Sequence, residues 1–162
     1  MSDEAEIRPG ETTVDLPPAD DAQLRFIGRI RTPFLTRADC PRQGDPEEGP
    51  ECRVELDPRL EPALAGIEGK AWLELLYWLD RSRRDLLTQR PRGSDGPRGT
   101  FSLRSPQRPN PIGSSMVRLV RREGPVLVVR WLDCLDGTPV LDLKPARCDQ
   151  GVQIRAESER ET

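Results

Sequence analysis

Residues 126–135 read VLVVRWLDCL, followed directly by DGT (136–138) and PVLDLKP (139–145). Three valines crowd the first half, and branching at Cβ favours extended backbone. Asp136-Gly137 is a tight-turn dipeptide, so the stretch predicts a strand, a turn and a second short strand. Upstream, Glu123-Gly124-Pro125 reads as another turn, fed by SSMVRLVRR (114–122). TFSLRS (100–105) alternates like a strand before Pro106, Pro109 and Pro111 forbid regular structure. CRVEL (52–56) and LRFIGRI (24–30), the latter cut by Pro33, complete the set. Short strands with turn signals at this spacing predict a mainly all-β fold, a barrel or a sandwich.

The run AWLELLYWL (71–79) is the most apolar segment and holds two of the three Trp and the single Tyr. Its length suits a helix or a strand equally. RSRRDLL (81–87) is helix-compatible, and DPRLEPALAGIEG (57–69) reads as a short helical turn with a Gly stop. RADCPRQGDPEEGPE (37–51) and PRGSDGPRG (91–99) are polar Pro/Gly loops. Residues 1–23 and 151–162 lack hydrophobic periodicity and read as disordered tails, leaving one folded domain over 24–150. No apolar window approaches a membrane span, and the acidic start MSDEAEIRPGETTVD has the wrong charge for a signal or transit peptide. A soluble, cytoplasmic protein is expected.

The chain contains no histidine. That excludes Ser-His and Cys-His nucleophile pairs and the usual zinc or iron sites. Cys40, Cys52, Cys134 and Cys148 show no CxxC spacing, so no metal site is expected and reduced thiols are. Chemistry must run on carboxylates, Arg, Ser, Tyr, backbone groups and a bound cofactor.

Charge is unevenly spread. Residues 1–24 carry seven acids and one Arg, whereas residues 81–122 carry eleven Arg and only Asp85 and Asp95. Such a run suits a polyanion, because guanidinium groups fork phosphate oxygens; it suits a solvated Arg-rich surface as well. In RSPQRPNPIG (104–113) the prolines stiffen the loop and pre-aim Arg104 and Arg108. Asn110 could cap backbone groups of the same corner. Asp133, Asp136 and Asp142 cluster around the last two strands, Asp136 serving a turn or a reaction, and Trp131 either stacks on a ring or fills the core.

In this order, IGRIRTPF (27–34), CPRQG (40–44), LRSPQRPNPIGSS (103–115) and LDCLDGTPVLDLKP (132–145) resemble the TsaA/TrmO (YaeB-like) family across residues 25–147. The resemblance implies a single β-barrel domain with short helical insertions, distinct from Rossmann methyltransferases, that dimerises to complete its cofactor site. No GxGxxG follows a strand to suggest otherwise. The family comprises S-adenosylmethionine-dependent enzymes that N6-methylate threonylcarbamoyl-adenosine beside the tRNA anticodon. Its cofactor contacts map onto Pro41, Arg42 and Gln43, onto Leu79, Asp80 and Arg81, onto Arg104 and Ser114, and onto Arg130, Trp131, Leu132 and Asp133.

An acid such as Asp133, Asp136 or Asp142 would then accept from the ribose or offset the sulfonium. Asp136 is the expected base in a His-free site, with methyl transfer by in-line displacement. The anticodon-stem phosphates are expected to meet Arg83, Arg84, Arg92, Arg98 and Arg108, with Asn110 beside them. The family pattern is broken at Asp80, where many members carry a Phe-His pair, and at Gln107, where many carry His. The chain also stops soon after LDLKP, short of the extension of the longer bacterial tRNA enzymes. A short paralogue is therefore expected, and its alternative roles are a small-molecule methyltransferase or a non-catalytic S-adenosylmethionine- or RNA-binding module.

Overall fold

The computed structural model describes residues 6–42 and 44–147. The expected C-terminal tail and Gln43 lie outside them. The chain forms two compact units, one of residues 1–24 and 78–113 and one of residues 25–77 and 114–162. The strands, in chain order, are β1 (Thr12–Thr13), β2 (Gly28–Arg31), β3 (Cys52–Leu56), β4 (Trp72–Trp78), β5 (Leu86–Gln89), β6 (Arg98–Gly99), β7 (Ile112–Glu123), β8 (Val126–Arg130) and β9 (Pro139–Pro145). No helix among the described residues is long and apolar enough to cross a membrane.

Six strands close into a barrel in the order β2-β3-β8-β7-β4-β9. The all-β expectation therefore holds, and the barrel is the alternative realised. Alternation drives it: β3 buries Cys52, Val54 and Leu56, and β4 buries Leu73, Leu75 and Tyr77. β4 settles the ambiguous apolar run as a strand. It pairs antiparallel with β9, placing Leu75 opposite Leu143. β8 adds Leu127, Val128 and Val129, and Ile30 and Val140 complete the packed interior. Gly28 is required where β2 crosses β3, because a Cβ there would lie 2.3 Å from the Glu55 carbonyl oxygen.

A second, three-stranded sheet runs β1-β5-β6 in the other unit. Several expectations fail here. Residues 81–87 are not helical; Leu86–Gln89 form strand β5, with Leu86 and Gln89 buried. TFSLRS is not a strand, since Thr100–Ser102 make a 3-10 turn. Within the segment read as a tail, Thr12 pairs with Thr88 and Thr13 with Leu86. The acidic composition hid an edge strand, stabilised by the 2.8 Å contact between the Thr12 and Thr88 hydroxyls and by Glu11, which accepts from the Arg90 N–H at 2.9 Å.

The helical turn after β3 is a 3-10 segment, Pro58–Leu64, with Pro at its start and Asp57 as its cap. Arg59 binds the same carboxylate, holding it down to about 2. The strand predicted from Val126 to Leu135 ends at Arg130, because Trp131 has φ +82°. That conformation cannot continue a strand, and a non-Gly residue adopts it only under outside constraint.

Candidate functional site

Within the barrel unit the structure brings together two segments that the family resemblance had named separately. Gly44 lies against Trp131: a Cβ at Gly44 would stand 2.7 Å from the indole Cδ1 and 2.8 Å from the Trp131 carbonyl carbon. The loop carrying Pro41 and Arg42 is thus anchored at the end of β8, where Trp131 turns the chain. The Trp131 ring meets Trp72 edge to face, with centroids 5.7 Å apart. It therefore contributes to packing whatever else it does. Leu132, next in sequence, is buried, so only its backbone could meet a ligand.

Asp133 follows, half-buried. Its Oδ1 accepts from the Tyr77 hydroxyl at 3.5 Å, and Tyr77 Oη lies 2.8 Å from Ser115 Oγ. Burial pushes the Asp133 carboxyl above its ordinary range, although its own backbone N–H and Tyr77 act in the opposite sense. Burial and the neighbouring Asp133 charge push the Tyr77 phenol upward, so it stays a protonated donor. Cys40 feels the Asp133 charge as well, which puts the start of the 40–44 loop near this carboxylate. Among the described residues no Lys or Arg forms an ion pair with Asp133, unlike Glu47, Glu51 and Glu123 of the barrel.

The neighbouring candidates are engaged differently. Asp136 Oδ1 accepts from the Thr32 N–H at 3.2 Å, its Oδ2 is 3.7 Å from Arg31 Nη1, and its own N–H bonds the Phe34 carbonyl. These contacts tie the turn before β9 to the end of β2. Arg130 donates to the Glu47 carbonyl and pairs with Glu51 at 3.4 Å, tethering the 44–51 loop. Ser114 Oγ donates to Glu74 Oε1 at 2.9 Å. Cys52 is pushed up to about 11 by burial, and Cys134 is raised by burial and by Asp133, so both are inert thiols.

Leu79, Asp80, Arg81 and Arg104 belong to the other unit. There the Leu79 N–H bonds the Pro111 carbonyl at 2.8 Å, fixing the residues after β4 to the proline loop. Asp80, Arg81 and Arg104 are exposed. A buried Gln89 holds the same loop: its Nε2 donates to Thr100 Oγ1 at 3.0 Å and to the Gln107 carbonyl at 2.5 Å. Position 107 thus serves this loop through its backbone, where the side chain departs from the family pattern.

The eleven arginines of the run divide between the two units. Arg118 pairs with Glu47, Arg121 with Glu51 and Glu123, and Arg122 with Glu61 and Glu68, all in the barrel unit. In the other unit Arg83 pairs with Asp85 at 2.7 Å. Arg84 donates to the Pro109 carbonyl at 2.6 Å and to Asn110 Oδ1 at 3.3 Å, and stacks over Trp78. Arg108 donates to the Leu103 and Ser105 carbonyls. The stiff-loop reading of RPNPIG is right, but Arg84, Arg108 and Asn110 stiffen it rather than project from it. Arg81, Arg92 and Arg98 are exposed and form no ion pair among the described residues.

Sequence reading missed Tyr77, Ser115, Glu74 and Cys40. One signal was available: the single Tyr sits at an inward position of an apolar strand, and a buried phenol needs a polar partner.

A closed barrel with a half-buried carboxylate at a strained strand end, and no dinucleotide motif, defines a class of small β-barrel protein apart from the Rossmann folds. Residues 29–149 match the family model described as the tRNA-methyltransferase O N-terminal domain, and the chain belongs to that TrmO family. A probable S-adenosyl-L-methionine-binding protein, VirR, of Rhizobium radiobacter is 50% identical over 87% of this chain and 80% of its own length. An S-adenosyl-L-methionine-binding protein of Archaeoglobus fulgidus is 41% identical over 75% of this chain and 86% of its own. A solved TrmO structure is 36% identical with TM-score 0.65, covering 79% of this chain and 58% of that one. TrmO from Pseudomonas aeruginosa, at 34% identity and TM-score 0.64, is covered over 56% of its length. The chain therefore spans little more than half of these solved proteins.

Proposed function

We propose that this chain binds S-adenosylmethionine and transfers its methyl group to N6 of threonylcarbamoyl-adenosine beside the anticodon of tRNA. The observation that carries the cofactor half is the union of the 40–44 loop with Trp131 and Asp133. A half-buried carboxylate without a cationic partner suits a ligand that brings its own positive charge. The cofactor, when bound, supplies an electrophilic methyl on a sulfonium. Asp133 is the charged group of the set, which Pro41, Arg42, Gln43 and the backbone of Leu132 join by the family resemblance. Leu79, Asp80, Arg81 and Arg104 are assigned on the same ground. Asp133, above its ordinary carboxylate range, is a better proton acceptor than Asp136, whose oxygens hold the Thr32 N–H and face Arg31.

The tRNA half rests on the family and on exposed Arg81, Arg92 and Arg98, a smaller cationic surface than the sequence promised. A homodimer and a cytoplasmic location belong to the same reading, and sedimentation of the purified chain measures the first. Calorimetric titration with S-adenosylmethionine should saturate near one per chain; no heat at millimolar ligand refutes the proposal. Labelled methyl should then appear in tRNA carrying threonylcarbamoyl-adenosine. Saturable binding with no transfer to tRNA or small molecules would favour a non-catalytic binding module, a reading favoured by the relatives named only as binding proteins.

A further inference from the structure

Asp133 stands apart from the other carboxylates near the end of β8. Glu47, Glu51 and Glu123 face guanidinium groups, Asp136 faces Arg31, and Asp142 pairs with Lys144. Among the described residues Asp133 forms no ion pair: it accepts from the Tyr77 phenol of β4, with Ser115 of β7 behind it, and its charge is felt by the thiols of Cys134, next in sequence, and of Cys40. Removing a carboxylate from water without a cation costs stability. A fold retains such a group where a cation arrives with the ligand. The backbone supports this: Trp131, at φ +82°, bends the chain off β8 immediately before Asp133, and strain of this kind concentrates at ligand clamps.

We infer that the Asp133 carboxylate, fixed by Tyr77 and Ser115, is the counter-charge by which this protein prefers S-adenosylmethionine over its neutral thioether product, S-adenosylhomocysteine; the inference rests on the cofactor reading given above. The two ligands differ at sulfur only, by a methyl group and a positive charge. A fixed carboxylate beside that sulfur holds the substrate form and releases the product form, which is the discrimination a turnover cycle needs. Tyr77 is a positioning residue: its hydroxyl donates to Asp133 Oδ1, orienting the charge and keeping the carboxyl ionised to lower pH.

The test is calorimetry of the full chain with both ligands, for wild type, Asp133→Asn and Tyr77→Phe, across about pH 5 to 8. Wild type should bind S-adenosylmethionine about tenfold or more tightly than S-adenosylhomocysteine, the span of a desolvated charge pair. In Asp133→Asn that ratio should collapse toward one, with S-adenosylhomocysteine affinity kept. The wild-type ratio should fall as pH drops through the Asp133 titration, and in Tyr77→Phe the midpoint of that fall should move up. An Asn variant that weakens both ligands equally, or keeps the ratio, overturns the inference and leaves the cofactor reading standing. A wild type that binds neither ligand overturns both. If Asp133→Asn does not fold, an unshifted midpoint in Tyr77→Phe overturns the inference by itself.

Discussion

Gly28→Ala tests the closure of the barrel at its tightest crossing. An added Cβ would stand 2.3 Å from the Glu55 carbonyl oxygen and 2.9 Å from Leu56 Cα, both backbone atoms that cannot rotate aside. Adjacent strands keep carbon–oxygen contacts of about 3.3 Å, so β2 and β3 would have to part by about 1 Å. β2 cannot simply move away, because Gly28 also pairs with Val140 of β9 on its other side. Two residues on, Ile30 is fully buried and would be displaced with the strand. The cost should be about 2–3 kcal/mol, the upper part of the roughly 1–3 kcal/mol typical of overpacking with backbone shift. For a chain of this length that corresponds to a fall of about 5–10 °C in Tm. Guanidinium unfolding followed by Trp fluorescence measures it, with Gly69→Ala as control, since a Cβ there meets nothing within 4 Å. A Gly28→Ala variant within about 0.5 kcal/mol of wild type would refute the reasoning.

Three further outcomes are expected. Gly44→Ala drives a Cβ to within 2.9 Å of Trp131 Cα and should weaken S-adenosylmethionine binding; the expected loss is about tenfold or more by calorimetry, as for a misplaced binding loop. Asp133 is raised in the folded state, so its contribution to stability is fully present below the unfolded pKa and is lost as pH rises through the folded one. Asp133→Asn should therefore gain stability relative to wild type as pH rises from acid toward neutral, and a pH-independent difference would contradict the burial argument. Replacing Arg92 and Arg98 together by Ala should reduce the salt slope of tRNA binding by about 2, whereas Arg121→Ala, whose guanidinium lies between Glu51 and Glu123, should leave it unchanged.

Much of the barrel was legible because alternation and β-branching write themselves into strands such as Cys52–Leu56 and Val126–Arg130. The apolar run 72–78 resisted, since length and hydrophobicity alone do not distinguish a buried helix from a strand. Its partner β9 decided it, and pairing is not a local property. β1 was invisible for the opposite reason: two threonines in an acidic segment carry little hydrophobic signal, and only β5 gives them a sheet edge. At the site, the family motifs pointed to Trp131 and Asp133, while the lone Tyr in an apolar strand was a local hint that left its partners unnamed. Tyr77 meets Asp133, and Ser115 meets Tyr77, only because β4 and β7 enclose the same interior. The positive φ at Trp131 was equally unreadable, since indole side chains have no preference for that region.

The arginines make the same point about charge. Counted along the chain they are one polybasic block, yet on the barrel each of Arg118, Arg121 and Arg122 faces glutamates supplied by distant segments. Acids and bases pair across β3, β7 and the loops beside them. Net positive charge therefore cannot be assigned to a surface from sequence proximity. The groups that remain uncompensated carry more information than the sum. Among the described residues these include exposed Arg81, Arg92 and Arg98 in one unit, and in the barrel the half-buried Asp133, which accepts from a phenol and forms no ion pair. Ion pairing was available to Asp133 in an arginine-rich protein, and among the described residues the fold gives it the Tyr77 phenol instead. That arrangement sacrifices stability near neutral pH for a site that a cation can complete.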